Sequence, residues 1–295
     1  MRRRLLPVMA GACCLAWSAG APGAAPKSPK AAVSSSAEEG DWRPIADDAI
    51  LVMTLGGGGR VVIRLDPERA PGHVANIRRL ARAHWWDGES VYRVQDNWVA
   101  QWGDATEKKP LPDGITPVPL PEYDFPARPL AQKLERADAY ARVTGISADG
   151  WPVASDGKTE WIAHCYGTVG VARNDSPDTG TGAELFMPLG GSARRLDRNY
   201  TVVGRVIEGA GFLSALPRSS APMGVYATAA ERMPIISVRL AADLPPAERP
   251  HYQYRAADNP RYAALIARKV HPEPPTVALG GVDVCDVPLE TRRIP

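Results

Sequence analysis

Little in this sequence is concentrated. Its 35 Lys and Arg stand against 33 Asp and Glu, a net charge of +2 over 295 residues, so it lacks the localised cationic excess needed to track a phosphate backbone. Nucleic acid is set aside as a partner on that ground. Cysteine is scarce, with four residues, too few for the dense framework that staples a small secreted scaffold. Long apolar runs are missing as well. The apolar stretch Leu5 to about Trp17 falls well short of the roughly 20 residues that span a bilayer, and no heptad run or internal repeat is present.

The familiar chemical motifs are also absent. No GxGxxG opens a helix, and Gly157, Lys158 and Thr159 imitate the end of a Walker A loop whose first glycine would fall at Pro152. His73, His84, His164, His251 and His271 include no HExxH and no pair at ligand spacing with acidic support. Neither a metal nor any other cofactor is expected. Ser192 sits in LGGSARR, without the GxSxG elbow of a serine hydrolase.

What is present begins with an export signal. Arg2, Arg3 and Arg4 precede the apolar stretch, and small residues follow, the layout of a secretory leader over residues 1–25. A periplasmic protein is expected. Lipid attachment at Cys13 or Cys14 is the lesser alternative, since no Leu stands where a lipoprotein signal usually has one. Loss of the leader would leave Cys165 and Cys285 in an oxidising compartment. They either pair with each other or stay as two buried thiols, and their spacing does not choose between these.

Residues 26–48 read as a flexible linker rich in Pro, Ser, Ala and charge, with order starting near Trp42. The runs ILVMTL and RVVIRL flank Gly56 to Gly59 and predict a hairpin. Pro71 opens a short amphipathic helix carrying Val74, Ile77, Leu80 and Ala81. Residues 105–166 are dominated by Pro, Gly and charge and read as a long inserted loop, with one helical candidate around Leu130 to Arg142. YGTVGVARN, AELFMPLG and NYTVVGRVIEG supply three more strands, and Ile235 to Leu240 another. Beyond residue 244 a helix over Pro260 to Lys269 and a last strand over Thr276 to Val284 make a short α/β extension. The 29 prolines and 27 glycines fall mostly between such segments, so the fold is expected to be mainly β.

The most informative stretch is VYRVQDNWVAQWGD, residues 91–104, where Tyr92, Trp98 and Trp102 alternate with Arg93, Gln101 and Asp104. With GTVGVARNDSPDTGTGAELFM (167–187) and LDRNYTVVGRVIEG (196–209) it resembles the cyclophilin family of prolyl isomerases. The resemblance spans about Ile50 to Arg218, with 235–240 as a closing strand. It implies a closed eight-stranded antiparallel β-barrel capped by two helices, within a domain of residues 49–243. It further implies that Arg93, Gln101 and Phe186 are the catalytic residues, and that Trp98, Val99, Ala172, Leu196 and Tyr200 bind substrate. The sequence departs from the family pattern at Trp98, Val99 and Trp102, and Arg195 stands where many members carry tryptophan. The implied activity is rotation about X-Pro bonds in proline-containing polypeptides, carried out by a monomer. A catalytically weak peptide-binding or chaperone module is the alternative.

Overall fold

The computed structural model describes residues 33–277 and 280–295. The expected leader, with Cys13 and Cys14, lies outside them. In chain order, β1 (Trp42–Pro44) precedes β2 (Ile50–Leu55), β3 (Arg60–Leu65), helix α1 (Pro71–Arg82), β4 (Ser90–Val94) and β5 (Val99–Gly103). Five short strands follow: β6 (Phe125–Pro126), β7 (Gln132–Lys133), β8 (Val143–Ile146), β9 (Pro152–Ser155) and β10 (Thr159–Ile162). Then come β11 (Thr168–Val171), β12 (Leu185–Pro188), β13 (Val202–Glu208), helix α2 (Ala210–Ser214) and β14 (Met233–Leu240). The chain ends with β15 (His251–Arg255), helix α3 (Pro260–Val270) and β16 (Thr291–Ile294).

Eight of these strands close a barrel in the order β11-β12-β5-β4-β14-β2-β3-β13. The expected hairpin forms in full register from Ile50↔Arg64 to Thr54↔Arg60, turning through Gly57 and Gly58 at positive φ, where side chains are disfavoured. Its strands are apolar on both faces because both are covered. Leu51, Met53 and Leu55 point into the barrel core, while Ile50, Val52 and Val62 pack outward against Tyr252 and Ala241. Helix α1 begins at Pro71 and buries Val74, Ile77, Leu80 and Ala81 in the barrel core.

Outside the barrel the sequence reading needs correction. Residues 105–166 are not only loop: β6, β10, β9, β8 and β7 form a five-stranded antiparallel sheet in that order. No helix forms at Leu130 to Arg142, where the only regular element among the described residues is the two-residue strand β7. The expected linker is structured from Glu39, whose short 3-10 turn leads into β1, and β1 pairs with β15. The last strand is Thr291–Ile294, and the described residues of 276–284 form no strand or helix. Thus β1, β15 and β16 make a second added sheet.

The insert and the C-terminal extension share one apolar core, in which Leu134, Ile146 and Trp161 meet Tyr262, Ile266 and Val284. Cys165 and Cys285 are joined by a disulfide across 120 residues of sequence. Among the described residues no helix is long and apolar enough to cross a membrane.

Candidate active site

The site follows from one irregularity in strand β4. Val91 and Val94 both enter the barrel core, three positions apart, which simple alternation forbids. The register explains it: Val91 pairs with Trp102 but Arg93 with Gln101, so one residue is extra. A bulge of this kind turns neighbouring side chains to the same face. Tyr92 and Arg93 both reach Gln101, the arginine Nη1 donating to Oε1 at 3.1 Å and Nε2 donating to the tyrosine hydroxyl at 2.5 Å.

From there a row runs across the outside of the barrel. Arg93 on β4 pairs with Gln101 on β5, Gln101 with Phe186 on β12, and Phe186 with Gly170 on β11. A Cβ at residue 170 would lie 2.3 Å from the phenylalanine Cζ, so only glycine lets the ring lie over that strand. The three residues expected to be catalytic thus stand side by side. Trp102, grouped with them by sequence alternation, faces the other way and is buried in the barrel core. Alternation on β5 sends Ala100 and Trp102 inward and Val99 and Gln101 outward.

Arg93 is held from three sides. Besides Gln101, its Nε donates to the carbonyl of Met223 at 2.6 Å and its Nη2 to Gln95 Oε1 at 2.8 Å. Met223 belongs to a loop that lies along β4 past the end of its short pairing with β14, where Tyr226 N donates to the Tyr92 carbonyl. Among the described residues no carboxylate pairs with Arg93. Burial lowers its pKa, yet a guanidinium stays cationic throughout the physiological range. The result is a fixed, uncompensated cation with neutral partners.

Phe186 is 3% exposed. His164 stacks on it at 6.0 Å between centroids, and Tyr200 meets it edge-on at 5.9 Å. Tyr200 in turn lies under Arg173, at 4.7 Å, and Trp98 under Arg195, at 5.2 Å. Val99 is buried, and Leu196 is half-buried at the end of a 3-10 turn from Gly191. Ala172 follows β11 and donates its N–H to the Glu184 carbonyl at 2.9 Å. Beside the row lies a cavity of about 360 Å³ whose wall includes Tyr92, Gln101, Ala172, Asp178 and Glu184.

Three residues escaped the sequence reading. Tyr92 has a role only because the bulge aims it at Gln101, which the sequence does not announce. His164 comes from the insert, with Nδ1 3.1 Å from Asp197 Oδ1 and Nε2 unpartnered. Glu184, two residues before Phe186, accepts from the Tyr92 hydroxyl at 2.8 Å and from Asp104 N at 2.6 Å. Burial pushes its pKa up to about 8. Burial would also raise Asp104, but backbone and side-chain donors from Lys109, Thr106 and Lys108 outweigh it and hold that carboxyl at about 2. Among the described residues no cluster of three or more His, Cys, Asp or Glu is arranged to hold a metal ion.

Comparison with known proteins finds relatives for the barrel. A family model described as cyclophilin type peptidyl-prolyl cis-trans isomerase/CLD matches residues 50–240. A probable peptidyl-prolyl cis-trans isomerase of Brucella suis is 27% identical over 164 residues, covering 55% of this chain and 68% of its own. A peptidyl-prolyl cis-trans isomerase of Arabidopsis thaliana is 26% identical over 172 residues, 58% of this chain and 62% of its own. The crystal structure of a cyclophilin from Hirschia baltica is similar with a TM-score of 0.67 at 26% identity, covering 85% of this chain and 93% of its own. That likeness extends beyond the stretch matched by the family model.

Proposed function

Because the chain belongs to the cyclophilin-type peptidyl-prolyl cis-trans isomerases, we propose that it turns X-Pro bonds of exported polypeptides with Arg93, Gln101 and Phe186 as its working residues. The observation that carries the assignment is the row of these three side chains across β4, β5 and β12.

Rotation about a peptide bond opposes amide conjugation, with a barrier of about 18–20 kcal/mol, and uncatalysed X-Pro exchange takes tens to hundreds of seconds. No proton or electron has to move. The enzyme accelerates the step by binding the twisted bond better than either planar form. Twisting leaves a lone pair on the proline nitrogen, and the Arg93 guanidinium is the donor placed to meet it. Phe186 supplies the apolar floor for the pyrrolidine ring, bordered by Val99, Trp98, Leu196 and Tyr200. Gln101 and the backbone at Ala172 hold the flanking peptide while the chain beyond the proline rotates. Arg93→Ala in the full chain is expected to lower kcat/KM for a proline tetrapeptide by about 10²–10³-fold with the fold retained. A folded variant of normal activity would remove the assignment.

The charged start followed by an apolar stretch, and the Cys165–Cys285 bridge, support a periplasmic location. Recovery of the protein only from the cytoplasm with its first residues intact would count against it. The 3% exposure of Phe186 favours a second reading, a slow isomerase that mainly holds peptides. That reading expects peptide binding with little rate enhancement from the wild type.

A further inference from the structure

Resting on that assignment of Arg93 and Gln101, we infer that Glu184 is a positioning residue for isomerisation: its carboxylate anchors a one-way hydrogen-bond chain through Tyr92 and Gln101 that orients Arg93.

The direction of the chain is forced from one end. Arginine has donors and no acceptor, so the Gln101 oxygen must face Arg93, as it does at 3.1 Å. The amide nitrogen then faces Tyr92 and donates to its hydroxyl at 2.5 Å. The Tyr92 oxygen is thereby an acceptor, and its own proton goes to Glu184 Oε2 at 2.8 Å. Glu184 Oε1 takes the backbone N–H of Asp104 at 2.6 Å. Every donor points toward Glu184, which has to accept at both oxygens, and that is carboxylate geometry.

Protonation conflicts with this arrangement. A proton on Oε2 needs an acceptor, and the near one is the Tyr92 oxygen. If that oxygen accepts from Glu184, the tyrosine proton turns back to Gln101, whose amide must flip and present N–H to Arg93. Two donors then face each other, and Arg93 loses one of its three anchors. The site is built tightly around the carboxylate: a Cβ at Gly103 would lie 2.2 Å from Oε1.

The groups facing Glu184 are Tyr92 from β4, Asp104, Glu107 and Lys109 from the segment after β5, and Arg173 and Asp178 from the segment after β11. Asp104 and Glu107 oppose its ionisation, and burial opposes it more. Its titration near pH 8 therefore falls where activity is measurable. The Tyr92 hydroxyl, raised by burial and by Glu184 itself, stays protonated throughout that range.

The test uses the full chain, with a blocked tetrapeptide free of titrating groups and cis–trans exchange read directly by NMR from pH 6 to 9.5. Wild type is expected to gain about tenfold in kcat/KM across this range, the value of one hydrogen bond to a charged group, mostly in kcat. Glu184→Gln and Tyr92→Phe are each expected to give a flat profile, and the Gln101 side-chain amide resonances to shift with pH in wild type alone. A wild-type profile matching that of Glu184→Gln overturns the inference, as does a pH rise that survives Tyr92→Phe. If Glu184→Gln does not fold, Tyr92→Phe and the Gln101 resonances decide between the same outcomes. Arg93→Ala in the same assay separates the two ideas. Normal activity there removes the site assignment, whereas an inactive Arg93→Ala beside a flat wild-type profile removes only the role of Glu184.

Discussion

The barrel wall and the region added to it are held in different ways. On the wall, Arg93, Gln101 and Phe186 are placed by register, each fixed by the backbone pairing of its own strand. The added region consists of two small sheets outside the closed barrel, with strands of two to five residues, and it depends on cross-links. The Cys165–Cys285 bridge is one. Asp149, in the turn between β8 and β9, is gripped by Arg69 at 2.9 and 3.1 Å, and Arg194 forks onto Asp138 at 3.0 and 2.9 Å. The two regions meet at the site through His164, which the insert lays against Phe186. The difference teaches that rate and stability are separable here: cutting cross-links should unfasten the addition long before it disturbs the row.

The largest effect that could break this view is expected from Cys165→Ser combined with Cys285→Ser. Closing a loop of 120 residues restricts the unfolded chain by about 4–5 kcal/mol in the chain-entropy model. Denaturant unfolding should show a loss of that order, while kcat/KM of the folded variant stays within about twofold. A collapse of activity under folding conditions would mean that the addition shapes the groove.

A second, smaller effect is expected at Asp149. Burial acts to raise its pKa, but hydrogen bonds and charge from Arg69, then Ser147 and Arg64, outweigh it and hold the carboxyl at about 2 against 3.8 unperturbed. A carboxyl lowered on folding stabilises above its unfolded pKa, and that contribution fades as pH falls from about 4 through 2. The shift corresponds to about 2 kcal/mol. Asp66, raised by burial beside the same arginine, works in the opposite sense. The clean measurement is therefore the acid unfolding curve of wild type against Asp149→Asn, which should lack this part of the slope. Superimposable curves would discard the link.

The smallest effect sharpens the comparison at its point of contact. His164→Ala removes one ring from the pair on Phe186, and such pairs contribute about 0.5–1.5 kcal/mol. The expected result is a rise of a few-fold in KM with kcat nearly unchanged. A fall in kcat as large as that of Arg93→Ala would make the insert part of the catalytic apparatus.

These contrasts also mark what the sequence makes legible. The hairpin of β2 and β3 and helix α1 are plain because β-branched runs, glycines and Pro71 act locally. Arg93, Gln101 and Phe186 are legible through the family resemblance, because each sits in a short motif, VYRV, VAQWG or AELFM, that lies in one barrel strand. The added sheets are hidden for two reasons. Strands β6 and β7 have two residues each, too few to show a period, and β1 finds its partner β15 some 200 residues later. The polar chain beyond Gln101 is hidden for another: residues 92, 101 and 184 meet only because β4 breaks its alternation, and no pattern in VYRV announces that.

The extra residue in β4 separates two functions carried by one strand. Taking Tyr92 away would leave Val91, Arg93 and Val94 in an ordinary in-out-in sequence, with Gln101 and Phe186 still beside the arginine. The isomerase row and its connection to Glu184 thus rest on different features of the wall, the row on the pairing of β4, β5 and β12 and the connection on the one extra residue.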